Sequence, residues 1–362
     1  MSKIVEYLQT MVSIGGSDLH LTVGAPPNAR VDGTMRPIAR EPLDRDAVYQ
    51  LVMAILSDRQ RSVLEEKLEL DFAINIDSLG RFRGNAHYNR GSVEAAFRFI
   101  PDEIPELAAL GHQPIVEQLC ELRRGLILVT GITGSGKTTT LASMIKRISE
   151  VRSGVIISIE DPIEFIFKHS RSIVKQREVG QDTLSFSAAL RHTLRQDPDV
   201  ILVSEMRDLE TMQAAVTAAE TGHLVLSTLH TIDAPKALDR MVDAFPAAQQ
   251  GQIIAQLANS LEAVISQRLL PHASGEGRIL ASEVMMMNYA IRTCLRQKKF
   301  EQILGLMEIG SKEGMHTIDE NLSHLIQQGQ IGVDDALANC RDPGMIEQAI
   351  ANSPMAQAQT RR

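Results

Sequence analysis

Apolar positions follow three rhythms along this chain, and each predicts a different kind of element. Between Asp44 and Leu56 the spacing is helical. Val48, Leu51, Val52, Ile55 and Leu56 fall on one stripe, and Asp44 stands at the N-cap position. From Asp71 to Asp77, over 82–88 and over 93–99, apolar and polar residues alternate, which predicts half-buried strands parted by Gly80 and Gly91. Asp32-Gly33, between Arg30-Val31 and Thr34-Met35, is a hairpin-turn signal. Residues 1–100 thus read as an α+β domain. Residues 101–124 carry Pro101, Pro105, Gly111 and Pro114 and read as a linker with one short helix.

The third rhythm begins at residue 125. Leu126–Val129, Val155–Ile159, Val200–Val203 and Leu224–Leu226 are nearly continuous apolar runs separated by helical segments. Strands with no polar face need cover on both sides, so the pattern predicts an α/β core with a parallel sheet. That core is assigned to 125–290. After about residue 235 the pattern reads as helical, giving a helical C-terminal region over 291–351. Residues 352–362 have little to bury and read as a disordered tail.

Composition narrows the function classes. The 362 residues exceed one ordinary core at ~150 residues per domain. With 45 acidic and 37 basic side chains the net charge is -8, so the excess Lys and Arg of a nucleic-acid coat is missing. Aromatics make up 4% and Trp is absent, which argues against base-stacking platforms. Cys120, Cys294 and Cys340 are dispersed, so neither a disulfide framework nor a zinc pair is expected, and the compartment reads as reducing. Glu6 interrupts the N-terminal segment, so no signal peptide is expected there, and no apolar run reaches the ~18 residues of a membrane span.

The strongest chemical signal is Gly131-Ile132-Thr133-Gly134-Ser135-Gly136-Lys137-Thr138, which fits GxxxxGK[ST] at every fixed position. It follows the strand LILVT and precedes a helix with Leu141, Met144, Ile145 and Ile148 facing inward. Glycines let successive backbone N–H groups curl around phosphate oxygens, and the helix N-terminus adds partial positive charge. The nucleotide-binding candidates are Gly131, Thr133, Gly134, Ser135, Gly136, Lys137, Thr138 and Thr139. Lys137 is placed for the β- and γ-phosphates, and Thr138 for Mg²⁺.

Hydrolysis also needs a group that orients or deprotonates water. Two strand ends supply carboxylates: Ile159-Glu160-Asp161-Pro162-Ile163-Glu164, and Val200 through Ser204-Glu205. Carboxyl ends of parallel strands face the ligand crevice, but spacing alone leaves open which carboxylate is the base. His223 and His230 flank the strand Leu224–Leu226, and His230 falls at the same sheet edge as the carboxylates.

The segments GITGSGKTTTLASM, ISIEDPIEF, QDPDVILVSEMRDLET and TAAETGHLVLSTLHT resemble the Walker A, aspartate box, Walker B and histidine box of secretion ATPases. Within that superfamily the chain resembles the PilT/PilU branch, the type IV pilus retraction ATPases. The likeness runs over about residues 1–300, from SDLHLTVGAPPNARVDG through GRFRGNA and REVGQDTLSFSAALR to VISQRLLP. It implies an N-terminal PAS-like α+β domain followed by a RecA-like P-loop ATPase domain with a helical C-terminal region. It implies a homohexameric motor that hydrolyses ATP with Mg²⁺ and powers pilus retraction. By the same resemblance Glu164 is the catalytic base and Glu205 the Walker B acid near the metal. His223, as a further nucleotide-binding residue, and His230, as a catalytic one, would couple nucleotide state to domain arrangement, and Arg83 and Arg98 would complete the catalytic ATP site. The implied partners are an inner-membrane pilus platform protein and a paralogous retraction ATPase, with no nucleic acid. The implied location is cytoplasmic, held to the inner membrane through the pilus machinery.

The chain departs from the branch at three places. Ile132 stands where Pro is usual and Ser204 where Gly is usual. A retraction motif is present only as Ala290–Gln297, where Arg292 and Arg296 persist and Gln297 replaces the terminal acid. The alternatives are a pilus-assembly or type II secretion ATPase, a RecA-like DNA motor, and an assembly module that binds nucleotide without turnover.

Overall fold

The computed structural model describes residues 2–31, 33–76, 79–100 and 103–352. Asp32, Asp77, Pro101 and the tail 353–362 lie outside them. The chain forms two compact units. One is Met1–Glu103 together with Pro162–Ile166, and the other is Ile104–Asp161 together with Phe167–Arg362.

The first unit is built on an antiparallel sheet. Its strands are β1 (Asp18–Leu21), β2 (Asn28–Val31), β3 (Thr34–Pro37), β4 (Glu69–Ile76), β5 (Gly80–Asn89) and β6 (Ser92–Ile100), in the order β3-β2-β1-β6-β5-β4. The alternation in sequence becomes two faces. Leu19, Phe72, Phe82 and Phe97 point into a core shared with Ile4 and Leu8 of the helix Lys3–Ser13 and with Val48 and Val52 of the helix Arg45–Met53. Phe72 meets Phe97 edge to face at 6.0 Å, and its ring occupies the space a Cβ would need at Gly84. Asp44 caps its helix as expected, accepting from Ala47 N at 2.8 Å. That helix stops at Met53, so Ile55 and Leu56 lie past its end, although Leu56 is still buried.

The second unit carries β7 (Gly125–Thr130), β8 (Val155–Glu160), β9 (Ile173–Glu178), β10 (Val200–Val203), β11 (Leu224–Leu229), β12 (Leu261–Pro271) and β13 (Arg278–Met286). The order is β13-β12-β7-β11-β10-β8-β9, parallel from β12 to β9 with β13 antiparallel at the edge. Every residue of β7, β10 and β11 is buried, as cover on both faces requires.

The structure corrects the helical expectation after residue 235. Two of the longest strands, β12 and β13, lie there. Their inner runs are buried on both faces, and such a run has no period-2 signature to separate it from a buried helix. Residues 104–124 pack into the second unit instead of spanning open space. Leu107, Val116 and Leu119 are buried, Ser143 Oγ donates to Pro105 O at 2.8 Å and Lys146 Nζ to Ile104 O at 3.1 Å. Among the described residues, no helix is long and apolar enough to cross a membrane.

Two histidines of the second unit are held neutral. His112 Nε2 sits 3.0 Å from Thr140 Oγ1 on the helix Lys137–Val151, and His316 Nε2 sits 3.3 Å from Ser282 Oγ on β13. Burial pushes both down to about 4, and the charge of His316 adds to the effect on His112. A folded-state value below the unfolded 6.5 means the unfolded chain takes up more protons between pH 6.5 and 4. Stability therefore falls as pH drops through that window. The expected loss from pH 7 to pH 5 is on the order of 2 kcal/mol per histidine. Thermal melts across that range should show it, and a His316→Gln variant should have a flatter pH profile than wild type.

Candidate functional site

β7 ends at Thr130, and the loop Gly131–Gly136 leads directly into the helix Lys137–Val151. The loop needs its glycines. Gly131, Gly134 and Gly136 take φ of 141°, 80° and 88°, values that disfavour a side chain. At Gly131 a Cβ would also collide with the carbonyl oxygen of Gln267 and with Ser135 Oγ. Lys137 folds back over the loop, with Nζ donating to Gly131 O at 2.8 Å and to Ile132 O at 3.0 Å. The helix has no side-chain cap at Gly136, and the first N–H groups of a helix have no partner within it. Ser135 Oγ and Gln267 Oε1 are buried without hydrogen-bond partners. Thr133 and Gly134 are exposed at the loop tip, while Thr138 and Thr139 are half-buried in the first helical turn. An uncapped helix start, a curled glycine loop and a lysine held above it fit a phosphate group.

Gln267 was not singled out from the sequence. It lies on β12, next to β7, and donates from Nε2 to Ser135 O at 3.1 Å. It reaches a loop residue 132 positions away in the chain, which no local motif records.

The parallel register brings the other candidates to the same edge. Thr130 pairs with Leu229, Val203 with Ser227, and Ile159 with Val203. Hence Gly131, His230, Ser204-Glu205 and Glu160 all fall at the carboxyl ends of their strands. His230 Nε2 lies 2.8 Å from Glu205 Oε1, and Arg207 Nη2 lies 2.9 Å from Glu205 Oε2. Burial works to raise the Glu205 carboxyl, but Arg207 and His230 outweigh it and hold the group below its ordinary value. Arg207 is raised in turn by its hydrogen bond to Glu205, and Asp161 adds to the effect. Arg207 is a further residue that sequence reading passed over, and its one signal is a cation two places after the acid. Ser204 is locked in place: its N–H donates to Ile159 O at 3.0 Å, and its carbonyl accepts from Thr228 Oγ1 at 2.6 Å.

Glu160 is buried and accepts from Ser158 Oγ at 2.6 Å and from Gln176 Nε2 at 3.0 Å, so its carboxylate is committed to the sheet end. Glu164 is half-buried and sits on the short segment that groups with the first unit, where Arg81 Nε donates to Ile163 O at 3.1 Å. Arg83 on β5 and Arg98 on β6 are directly opposite in register, on the sheet face away from Phe82 and Phe97. Arg98 Nε is 2.8 Å from Asp18 Oδ1. Burial works to raise Asp18, but Ser17 and Arg98 together hold it below the usual carboxylate value.

The structure separates His223 from the phosphate loop. It precedes β11, at the end opposite His230, and its Nδ1 is 3.0 Å from Ala218 O. The strand between the two histidines sets them roughly 20 Å apart. Within one chain, His223 therefore does not line the phosphate loop. Arg292 is internal too: it donates to Met287 O, Ala258 O and Glu262 at 2.6, 2.7 and 2.9 Å, and Arg296 reaches Asn259 Oδ1 at 3.2 Å.

The chain is similar to known proteins. The family model described as type II/IV secretion system protein matches residues 3–341. The type IV pilus retraction ATPase PilT of Pseudomonas aeruginosa is 44% identical over 340 residues, 94% of this chain and 98% of that one. The type IV pilus ATPase PilU of the same organism is 42% identical over 332 residues, covering 92% and 87% of the two chains. A crystal structure of the pilus retraction motor PilT with bound ADP superposes with a TM-score of 0.90 at 48% identity, covering 96% of this chain and all of that one. With a mixed α/β fold of an N-terminal domain and a C-terminal ATPase domain in common, the chain belongs to the type II/IV secretion system protein family.

Proposed function

We propose that this chain is an ATP-hydrolysing motor that drives retraction of type IV pili. The observation that carries the reading is the phosphate loop with Lys137 folded over it, at the same sheet edge as Glu205, His230 and Arg207. Gly131, Thr133, Gly134, Ser135, Gly136, Lys137, Thr138 and Thr139 would cradle the phosphates. Thr138 and Glu205 would hold Mg²⁺, whose chemistry there would be to offset negative charge on the phosphates. Glu164 would accept the proton of the attacking water. His230, already oriented by Glu205, would report on the γ-phosphate. Arg83 and Arg98 would add positive charge when ATP is present, and that differential contact would couple hydrolysis to domain movement. Closed rotational symmetry makes a homohexameric ring the natural assembly. Its partners would be a membrane platform protein of the pilus, reached from the cytoplasm, and a paralogous retraction ATPase.

The test is genetic and biochemical. Deletion should leave cells piliated but unable to retract, and the purified chain should hydrolyse ATP only with Mg²⁺. Loss of pili on deletion would instead assign an assembly role. Turnover stimulated by DNA would favour a DNA motor.

A further inference from the structure

His230 depends on a loop that is anchored far from the nucleotide loop in sequence. Three residues separate it from Ala234, the first residue of the helix Ala234–Asp243. Asp233 caps that helix, accepting from Lys236 N at 2.8 Å, and both Asp233 and Ala234 are buried. The N–H of Ala234 donates to Glu283 Oε1 on β13 at 2.5 Å. Glu283 is 1% exposed, and its other oxygen accepts from Arg341 Nη2 at 3.0 Å, while the same guanidinium nitrogen lies 3.8 Å from Asp233. Arg341 is fixed in turn by its backbone. Asp319, itself buried, accepts from Arg341 N at 2.7 Å and from Asp342 N at 3.2 Å. The chain of contacts thus runs from the C-terminal turn at 341, through one buried carboxylate, to the residue that starts the helix behind His230.

We infer that Glu283 and Arg341 are positioning residues for His230, a buried ion pair that fixes the start of the helix Ala234–Asp243 and so holds His230 against Glu205. The inference rests on the ATPase reading above. Removing Arg341 leaves the Glu283 carboxylate buried without its cation. Removing the acceptor leaves the Ala234 N–H unsatisfied. Either change displaces the loop at one end while leaving the phosphate loop untouched. The expected signature is lower kcat with little change in KM.

Three variants of the full chain test it. Arg341→Met breaks the pair and should lower kcat about tenfold, the effect of a buried polar group left unmatched. The pair Glu283→Gln with Arg341→Met removes both charges but keeps an acceptor for Ala234 N, and should return to within about threefold of wild type. The pair Glu283→Leu with Arg341→Met removes the acceptor too and should again lose about tenfold. In each, KM for ATP should shift by less than about twofold. The two double variants are both uncharged at the site, so they decide the matter even where Arg341→Met fails to fold. Equal kcat in those two doubles would overturn the inference. An inactive wild-type chain would overturn the ATPase reading itself, an outcome visible before any variant is compared.

Discussion

Replacing Glu164 by Gln should leave ATP bound and lower turnover by about 10²–10⁴-fold, the range for removal of a general base. Three carboxylates at the strand ends of the second unit are spoken for. Glu160 is buried and accepts from Ser158 and Gln176. Glu205 is paired on both oxygens, with His230 and Arg207. Asp161 is exposed and lends its charge to Arg207. Glu164 remains, half-buried on a segment that is tied down through the backbone of Ile163 and not through its own carboxylate. An amide has the same shape, so the segment should keep its place. It cannot accept the proton of the attacking water. A fluorescent ATP analogue measures retention of binding, and phosphate release measures the loss of turnover. Wild-type turnover in this variant would remove Glu164 from the mechanism.

Lys137→Ala should act at the earlier step, weakening ATP and ADP together by about 10–100-fold, the scale of one or two charge-assisted hydrogen bonds. Lys137 is 9% exposed, and its ammonium spans the carbonyls of Gly131 and Ile132. Alanine is the best helix former, so the helix Lys137–Val151 should persist. What is lost is a cation fixed over the loop, together with two bonds to the loop's first turn. Unchanged nucleotide affinity by equilibrium titration would contradict the assignment of this loop.

The phosphate loop could be read from sequence because its requirements are local. The loop geometry tolerates only glycine at Gly131, where φ is 141° and a side chain would strike Gln267, and the amino-acid string records that demand directly. The four central strands were legible for a related reason: residues buried on both faces leave an unbroken apolar run. The same property concealed β12, whose run continues from the helix Ala247–Ser260 with no turn signal between them. Partners set by distant pairing were beyond local reading. Gln267 beside Ser135 and Arg341 beside Glu283 carry no spacing signature. His223 shows the limit from the other side. It shares a recognisable box with His230, yet a strand of six residues carries it to the opposite end of the sheet.

The segment Pro162–Ile166 belongs to the first unit although Ile104–Asp161 of the second is made before it. On the ribosome all six strands of the N-terminal sheet have been made when Glu103 emerges, but Pro162–Ile166 has not. Arg81 must wait for the carbonyl of Ile163, and at about 5–20 residues per second that delay lasts several seconds. During it β7 and the helix that follows are already out of the exit tunnel. The first unit therefore receives its last segment only after Ile104–Asp161 of the second has been made. Cutting the gene at residue 103 would yield an N-terminal fragment that lacks part of its own structure.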